Sequence, residues 1–292
     1  MEIRLLRSFL AVAREQNISR AAQTLHITQP SLSRQIMDLE ESLGLTLFNR
    51  RKRVMTLTEQ GMLLRKRAEQ ILDLVYKTEE ELAMVEAVSG TVYIGAGETH
   101  AFRSLTDGIN NLVSEHPEIR FHLMSGNAED VMERLDKGLL DFGLLIEPAD
   151  ITKYDYLRLP ISDVWGILMR SDNPLAAQES IRPEDLWNEP LICSRQALEG
   201  GQFSSWLKIG QDRLNLVATY NLIFNASLLV EAGVGHVVGL DNIINTTGDS
   251  KLCFRPLNPP LVSHVDLVWK KYQIFSKASE LFLERVRSGK IV

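Results

Sequence analysis

The sequence of 292 residues has only two cysteines, Cys193 and Cys253, which lie far apart and form no CxxC motif. A disulfide framework is therefore not expected, and this cysteine usage is typical of a reducing compartment. No stretch approaches the roughly 20 apolar residues that a membrane-spanning helix needs. Arg4, Arg7 and Arg14 interrupt the apolar residues at the N-terminus, which is unlike a signal peptide. The sequence predicts a cytoplasmic protein without a membrane partner.

Motifs for the common enzyme chemistries are also missing. Gly95-Ala96-Gly97 lacks the third glycine of a dinucleotide fingerprint, and no GxxxxGK[ST] loop or GxSxG elbow occurs. The six histidines lie apart from one another, with no HExxH, HxH or Cys/His cluster for zinc. These absences predict a protein that is not an enzyme and that carries no metal and no cofactor.

Charge is distributed unevenly along the chain. The net charge is −6, yet residues 1–58 carry nine basic and five acidic side chains, against 23 basic and 33 acidic in the remainder. A basic N-terminal segment on an acidic body is typical of a nucleic-acid-binding module joined to a domain of another kind.

The spacing of apolar residues in the basic segment predicts two short amphipathic helices. Apolar residues recur at spacings of three and four in two stripes, Ile18, Ala21, Ala22 and Leu25, then Leu32, Ile36, Leu39 and Leu43. Thr28 is a good N-cap for the second helix, Pro30 fits its first turn, and Gly44 is suited to its end. Two such helices joined by a tight turn predict a helix-turn-helix.

The polar residues around the second helix are the candidate DNA contacts. Short hydroxyls, amides and an arginine at the N-terminal end of a helix suit base edges in a major groove, and a following basic tip suits phosphates. The alternative is two core helices followed by a solvated charge run. The predicted DNA-binding residues are Ser19, Gln29, Pro30, Ser31, Ser33, Arg34, Gln35, Arg50, Arg51, Lys52 and Arg53, with Arg34 as the foremost base or phosphate contact.

The same stretch resembles the N-terminal domain of LysR-type transcriptional regulators. The matching positions are Ser19-Arg20-Ala21-Ala22, Gln29-Pro30-Ser31-Leu32-Ser33, Ile36, Leu39-Glu40, Leu43-Gly44, Leu47-Phe48, Arg50, Leu57-Thr58 and Gly61. Many positions matched in one order make a specific signal. The resemblance implies a regulator with a winged helix-turn-helix over residues 1–58, a linker helix and an effector-binding region.

A long helix is predicted from Thr58 toward Val88. Its apolar residues alternate steps of four and three, a repeat of 3.5 residues: Leu64, Ala68, Ile71, Val75, Thr78, Leu82 and Val85. A narrow seam of this kind favours pairing with another helix, although packing within a domain is an alternative. The family resemblance implies that linker helices, here residues 59–89, pair in a homodimer, and a homotetramer is predicted beyond it.

Residues 90–292 alternate short apolar runs with amphipathic segments, which predicts an α/β fold with a largely parallel sheet. Phrases such as Leu140-Asp141-Phe142-Gly143-Leu144 and Ala232-Gly233-Val234-Gly235 resemble the effector domain of the same family. That resemblance implies two α/β subdomains, similar to a periplasmic solute-binding protein and joined by two crossing strands. We place them at about 91–161 with 267–292, and at 162–266.

Ligands of such folds bind where strands end and helices begin, between the subdomains. By family resemblance the small-molecule effector, of unknown identity, is expected at Gly97, Glu98, Thr99, His100, Ser125, Gly126, Asn127, Ser194, Arg195, Asn221, Gly233 and Gly235. Thr99 and Ser125 are alternatively helix caps, and Arg195 a solvated side chain. Glu98 departs from an anion site and favours a polar or cationic group.

Two other classes of function share parts of this pattern. A solute-binding transport component would have the C-terminal fold, but it would need a signal peptide and no basic N-terminal segment. An enzyme with an accessory DNA-binding domain would need a catalytic constellation. The effector, the operator, the direction of regulation and the choice between dimer and tetramer are not encoded in any motif of the sequence.

Overall fold

The computed structural model describes residues 2–51, 54–83, 89–208 and 213–288. The chain divides into two compact units, Met1–Ala83 and Met84–Val292. The division falls within the predicted linker, residues 59–89, and the assignment of functions to the segments on either side stays a prediction.

Among its described residues, the first unit has four helices and a two-stranded hairpin. Its elements in chain order are α1 (Ile3–Glu15), α2 (Ile18–Thr24), α3 (Gln29–Leu43), β1 (Phe48–Arg51), β2 (Val54–Leu57) and α4 (Glu59–Ala83). Strands β1 and β2 pair antiparallel, from Phe48 opposite Leu57 to Arg51 opposite Val54. The helix-turn-helix and its wing are therefore present where the sequence pattern predicted them.

The caps of the two central helices are local. The Asn17 side chain accepts hydrogen bonds from the first turn of α2, and Thr28 Oγ1 accepts one from the N–H of Ser31 at the start of α3. Gly44 ends α3 with a φ of +65°, a left-handed conformation that glycine adopts without strain. The core beneath these helices includes Phe9 and Leu32, both fully buried.

The second unit contains nine strands and six helices within the described residues. The strands are β3 (Gly90–Ala96), β4 (Ile119–Ser125), β5 (Phe142–Ile146), β6 (Tyr154–Arg170), β7 (Leu191–Ser194), β8 (Leu216–Tyr220), β9 (His236–Leu240), β10 (Leu252–Pro256) and β11 (Val262–Lys270). The helices are α5 (Arg103–Glu115), α6 (Ala128–Asp136), α7 (Arg195–Glu199), α8 (Gln202–Leu207), α9 (Ile223–Glu231) and α10 (Lys277–Arg287).

The strands form one continuous path in the order β4-β3-β5-β11-β6-β9-β7-β8, with β10 on β6. Strands β4, β3 and β5 are parallel, and so are β8, β7 and β9, whereas β11 and β6 run antiparallel to their neighbours. Strand β6 pairs with β11 up to Val164 and with β9 from Trp165. The two long strands therefore carry the chain between two α/β subdomains.

Each subdomain has its own core. In the first, Phe142 packs against Phe282 of α10, so the C-terminal helix returns to the sheet that β3 begins. In the second, Phe203 stacks on Trp206 beneath the sheet. The alternation of strands and helices predicted for residues 90–292 is therefore present, and Pro183–Leu186 forms a short 3-10 helix between β6 and β7.

Candidate DNA-binding face and effector cleft

The outward face of α3 carries five of the eleven predicted DNA contacts. Gln29, Pro30, Ser31 and Arg34 are exposed, and Ser33 is half-buried beside them. Gln29 Nε2 donates a hydrogen bond to Ser33 Oγ at 3.1 Å. This bond spans one helical turn, so it restrains the Gln29 amide on the outer face of α3.

Gln35 differs from the other predicted contacts on α3. It is half-buried, and its carbonyl oxygen accepts a hydrogen bond from the buried hydroxyl of Ser8 on α1. The amide is therefore engaged in holding α1 against α3. Its role as a DNA contact stays a prediction, but its oxygen is directed to the interior.

The wing is tied to α3 by a carboxylate. Glu40 Oε1 accepts hydrogen bonds from the backbone N–H groups of Leu47, at 2.7 Å, and Phe48, at 3.2 Å. This contact fixes the start of β1 relative to α3. Arg50 and Arg51 lie in β1, and the predicted contacts Lys52 and Arg53 lie outside the described residues. Ser19 is exposed in the first turn of α2.

A cleft of about 80 Å³ lies between the two subdomains of the second unit. It is at the C-terminal ends of strands from both sides, as expected for an open α/β fold. Six predicted effector residues line it, namely Gly97, Glu98, Asn127, Ser194, Arg195 and Asn221. The structure therefore brings together residues that lie up to 124 positions apart in the chain.

The other predicted effector residues do not line this cleft. They are Thr99, His100, Ser125, Gly126, Gly233 and Gly235. The two glycines precede β9, at the opposite end of the strand from the cleft, and a Cβ at Gly235 would lie 2.6 Å from the carbonyl oxygen of Pro190. Gly235 thus allows close packing of backbone on backbone, which is a structural reason for a glycine there.

The Thr99 hydroxyl forms hydrogen bonds within the protein. It accepts a hydrogen bond from the N–H of Ala101 and donates one to Asp163 Oδ2 at 2.5 Å. Asp163 lies on the crossing strand β6 and is 3% exposed. Burial raises the pKa of this carboxyl, against the lowering effect of the hydrogen bond from Thr99. The hydroxyl predicted to meet the effector therefore caps a turn and anchors the loop to β6.

Two side chains form hydrogen bonds across the cleft. Glu98, at the end of β3, accepts through Oε2 from the backbone N–H of Ile223, the first residue of α9. On the other subdomain, Gln196 Nε2 donates to the carbonyl oxygens of Ile146, at 3.0 Å, and Pro148, at 3.2 Å. The subdomains are thus held together by their own polar groups.

The sequence prediction missed several lining residues, including Glu147, Pro148, Trp165, Gln196 and Tyr220. Glu147 and Pro148 directly follow β5, so the strand-end rule that selected Gly97 would have found them. Tyr220 ends β8, a strand that the pattern did not reveal. Trp165 lines the cleft only because β6 crosses between subdomains there, and its Nε1 donates to Ser263 Oγ on the second crossing strand.

The described residues contain neither a thiol with a lowered pKa nor a group of side chains arranged to hold a metal ion. Burial raises the pKa of the Cys193 thiol to about 12, and it also raises that of Cys253, so both thiols are held in the protonated, less reactive form. Among these residues, no group of three or more His, Cys, Asp or Glu side chains is arranged to hold a metal ion. No helix in this part of the chain is long and apolar enough to cross a membrane.

A winged helix-turn-helix followed by a two-subdomain α/β region with a cleft defines a DNA-binding protein with a ligand-binding domain. Two family models match the chain. The bacterial regulatory helix-turn-helix protein, lysR family, matches residues 3–62, and the LysR substrate binding domain matches residues 86–290. The chain belongs to the LysR family of transcriptional regulators, so it is a regulator that binds DNA and a small-molecule effector, and not an enzyme.

Individual relatives are similar over most of their length. The HTH-type transcriptional activator IlvY of Salmonella typhimurium strain LT2 is 35% identical over 210 residues, covering 71% of each chain. The Hca operon transcriptional activator HcaR of Escherichia coli K12 is 28% identical, covering 93% of this chain and 92% of HcaR. Full-length CbnR in complex with its target DNA has a TM-score of 0.77 at 19% identity, covering 99% of this chain and 100% of CbnR.

Proposed function

We propose that α3 enters the major groove of an operator and that the cleft, on binding a small molecule, changes how the assembled regulator binds that operator. The observation that supports this most directly is the closed cleft. Its two walls come from different subdomains and are joined by hydrogen bonds that a ligand can replace. A ligand acts only through its different affinity for two arrangements, and two subdomains joined by two strands provide such arrangements.

The polar face of α3 supplies the proposed base contacts. Arg34 is exposed one turn into the helix, where a guanidinium can reach guanine O6 and N7 or an adjacent phosphate. The further proposed contacts are Ser19 on α2 and Gln29, Pro30, Ser31 and Ser33 on α3. The basic wing from Arg50 to Arg53 is proposed to lie along phosphates.

Helix α4 is the proposed dimer contact. Toward its N-terminus the seam packs on the first unit, where Ala68 is buried and Leu64 and Ile71 contact the core. Further along, Val75 is half-buried and Leu82 is 75% exposed. An apolar groove on this helix is lined by Ile71, Leu74, Val75, Thr78, Glu79 and Leu82. We infer a homodimer through this seam, and a homotetramer through further contacts. A chromosomal operator as partner implies a cytoplasmic location, and no cofactor besides the effector is proposed.

The testing experiment is fluorescence anisotropy with DNA from immediately upstream of the protein's own gene, measured over a series of salt concentrations. We expect this duplex to bind about a thousandfold or more tighter than random DNA, with affinity falling steeply as salt rises. A shuffled duplex of the same composition is the control. Equal affinity for both duplexes would contradict sequence-specific binding at this operator.

A further inference from the structure

Helix α9 begins without a cap from its own segment. Its N-cap residue is Leu222, whose apolar side chain accepts no hydrogen bond. The preceding Asn221 directs its Oδ1 to the N–H of Leu222, outside the helix. The first N–H groups of a helix need acceptors that the helix itself cannot provide, so α9 depends on a partner from elsewhere.

Glu98 of the opposite subdomain supplies that partner. Its Oε2 accepts from the N–H of Ile223 at 2.5 Å, across 125 residues of sequence and across the cleft. A carboxylate is the group that the positive end of a helix dipole favours. The side chain therefore occupies the position at α9 in which a carboxylate ligand would be bound.

The rest of the cleft reinforces this assignment. Ile223 is 4% exposed, so its N–H has little access to water as a substitute acceptor. Glu147, the other lining carboxylate, is held by Arg158 and by the N–H of His264. The Glu98 side chain lines this cleft, which has a volume of about 80 Å³.

We propose that Glu98 is a built-in substitute for an anionic ligand and determines effector specificity: its hydrogen bond to α9 closes the cleft and excludes carboxylate effectors. The effector is then a neutral or cationic small molecule, which meets the carboxylate as a hydrogen-bond donor. This proposal rests on the effector-binding function proposed for the cleft. The alternative is a purely structural cap, which would not influence what the cleft binds.

The first test measures hydrogen exchange of the full chain in the segment that contains the first turn of α9. We expect Glu98→Ala to accelerate exchange there about tenfold or more, because the variant loses a charge-assisted hydrogen bond in a buried position. Glu98→Gln keeps an acceptor without the charge and should show a smaller acceleration. Glu129→Gln removes one charge from an exposed position of the same subdomain and is the matched control.

The second test adds acetate as the probe. In Glu98→Ala the vacated position should accept acetate, and exchange at α9 should return toward the wild-type rate as acetate rises, while an equal concentration of chloride has less effect. Wild-type exchange should not respond to acetate.

Three results would overturn the proposal. Unchanged exchange in Glu98→Ala would show that the carboxylate does not hold α9. Wild-type protein that responds to acetate as strongly as the variant, or a variant that does not respond at all, would show that Glu98 does not occupy an anion position. Neither readout involves DNA, so a failure here is distinguishable from a failure of operator binding.

Discussion

Helix α3, which we propose contacts DNA, and helix α9 at the cleft begin in different ways. Helix α3 takes its cap from Thr28, the residue directly before it, whereas α9 takes its cap from Glu98 on another subdomain. A local cap does not depend on the position of another subdomain. A cap supplied across a cleft exists only while the cleft is closed. The α3 face that we propose to contact DNA is therefore formed independently of the cleft, whereas the cap of α9 depends on closure of the cleft.

The largest expected effect is a loss of stability of the first unit when Gly61, near the start of α4, is replaced by alanine. A Cβ at Gly61 would lie 2.3 Å from the carbonyl oxygen of Leu47, a backbone atom that cannot move aside cheaply. We expect Gly61→Ala to lower the free energy of unfolding of this unit by about 1–3 kcal/mol and to weaken DNA binding, measured by thermal melting and anisotropy. Met62→Ala, at an exposed neighbour, is the control, and equal melting temperatures would contradict the packing argument.

Arg34→Ala tests whether the preformed face reads DNA. Because Arg34 is exposed, its loss should leave the fold and the melting temperature unchanged. Affinity for the operator should fall by about 1–3 kcal/mol, with a much smaller change for random DNA. Gln35→Ala offers a contrast, since it removes the bond from Ser8 and should reduce stability more than specificity. An unchanged ratio of operator to random binding in Arg34→Ala would remove this residue from the interface.

Thr28→Ala removes the local cap of α3, so that its effect on stability and its response to acetate can be compared with those of the α9 cap. The hydrogen bond from the Ser31 N–H to Thr28 Oγ1 is long, at 3.4 Å, so we expect a loss of about 0.5–1 kcal/mol in stability. Thr28→Ser, which keeps the hydroxyl, should recover most of it. Added acetate should not, because the cap forms within one segment exposed to water. Recovery of stability by acetate in Thr28→Ala would contradict the proposed difference between the caps of α3 and α9.

The smallest expected effect is a pH dependence in the crossing strand. Burial raises the pKa of Asp163 above its ordinary 3.8, so the fold favours the neutral carboxyl. The stability gained from that preference is complete below pH 3.8 and is lost as pH rises through the raised value.

Asp163→Asn cannot ionise and keeps an acceptor for Thr99, so its stability relative to wild type should increase as pH rises through that window. Denaturant titrations at several pH values measure this difference. Asp155→Asn, at an exposed position of the same strand, is the control. A difference that stays constant with pH, or that falls as pH rises, would contradict the assigned direction.

Much of the first unit was predictable because its determinants are close in sequence. The stripe through Leu32 and Ile36, the cap at Thr28 and the ending at Gly44 each depend on neighbours within a few residues. In the second unit the same reasoning located the Gly97 and Ser194 loops, because strand ends are visible in the pattern. It also selected Thr99, whose hydroxyl the fold uses to anchor a loop to Asp163.

The sequence by itself determined the helix-turn-helix, the alternation of strands and helices, and the uneven charge, since each arises from periodicity or composition along the chain. Tertiary structure decided which polar groups meet. Gln35 was directed to Ser8, and Trp165 was brought to the cleft by a strand that changes partners. Glu98 reached α9 because folding places the end of β3 opposite a helix that lacks its own cap. Such pairings depend on distances through space, which no spacing along the chain records.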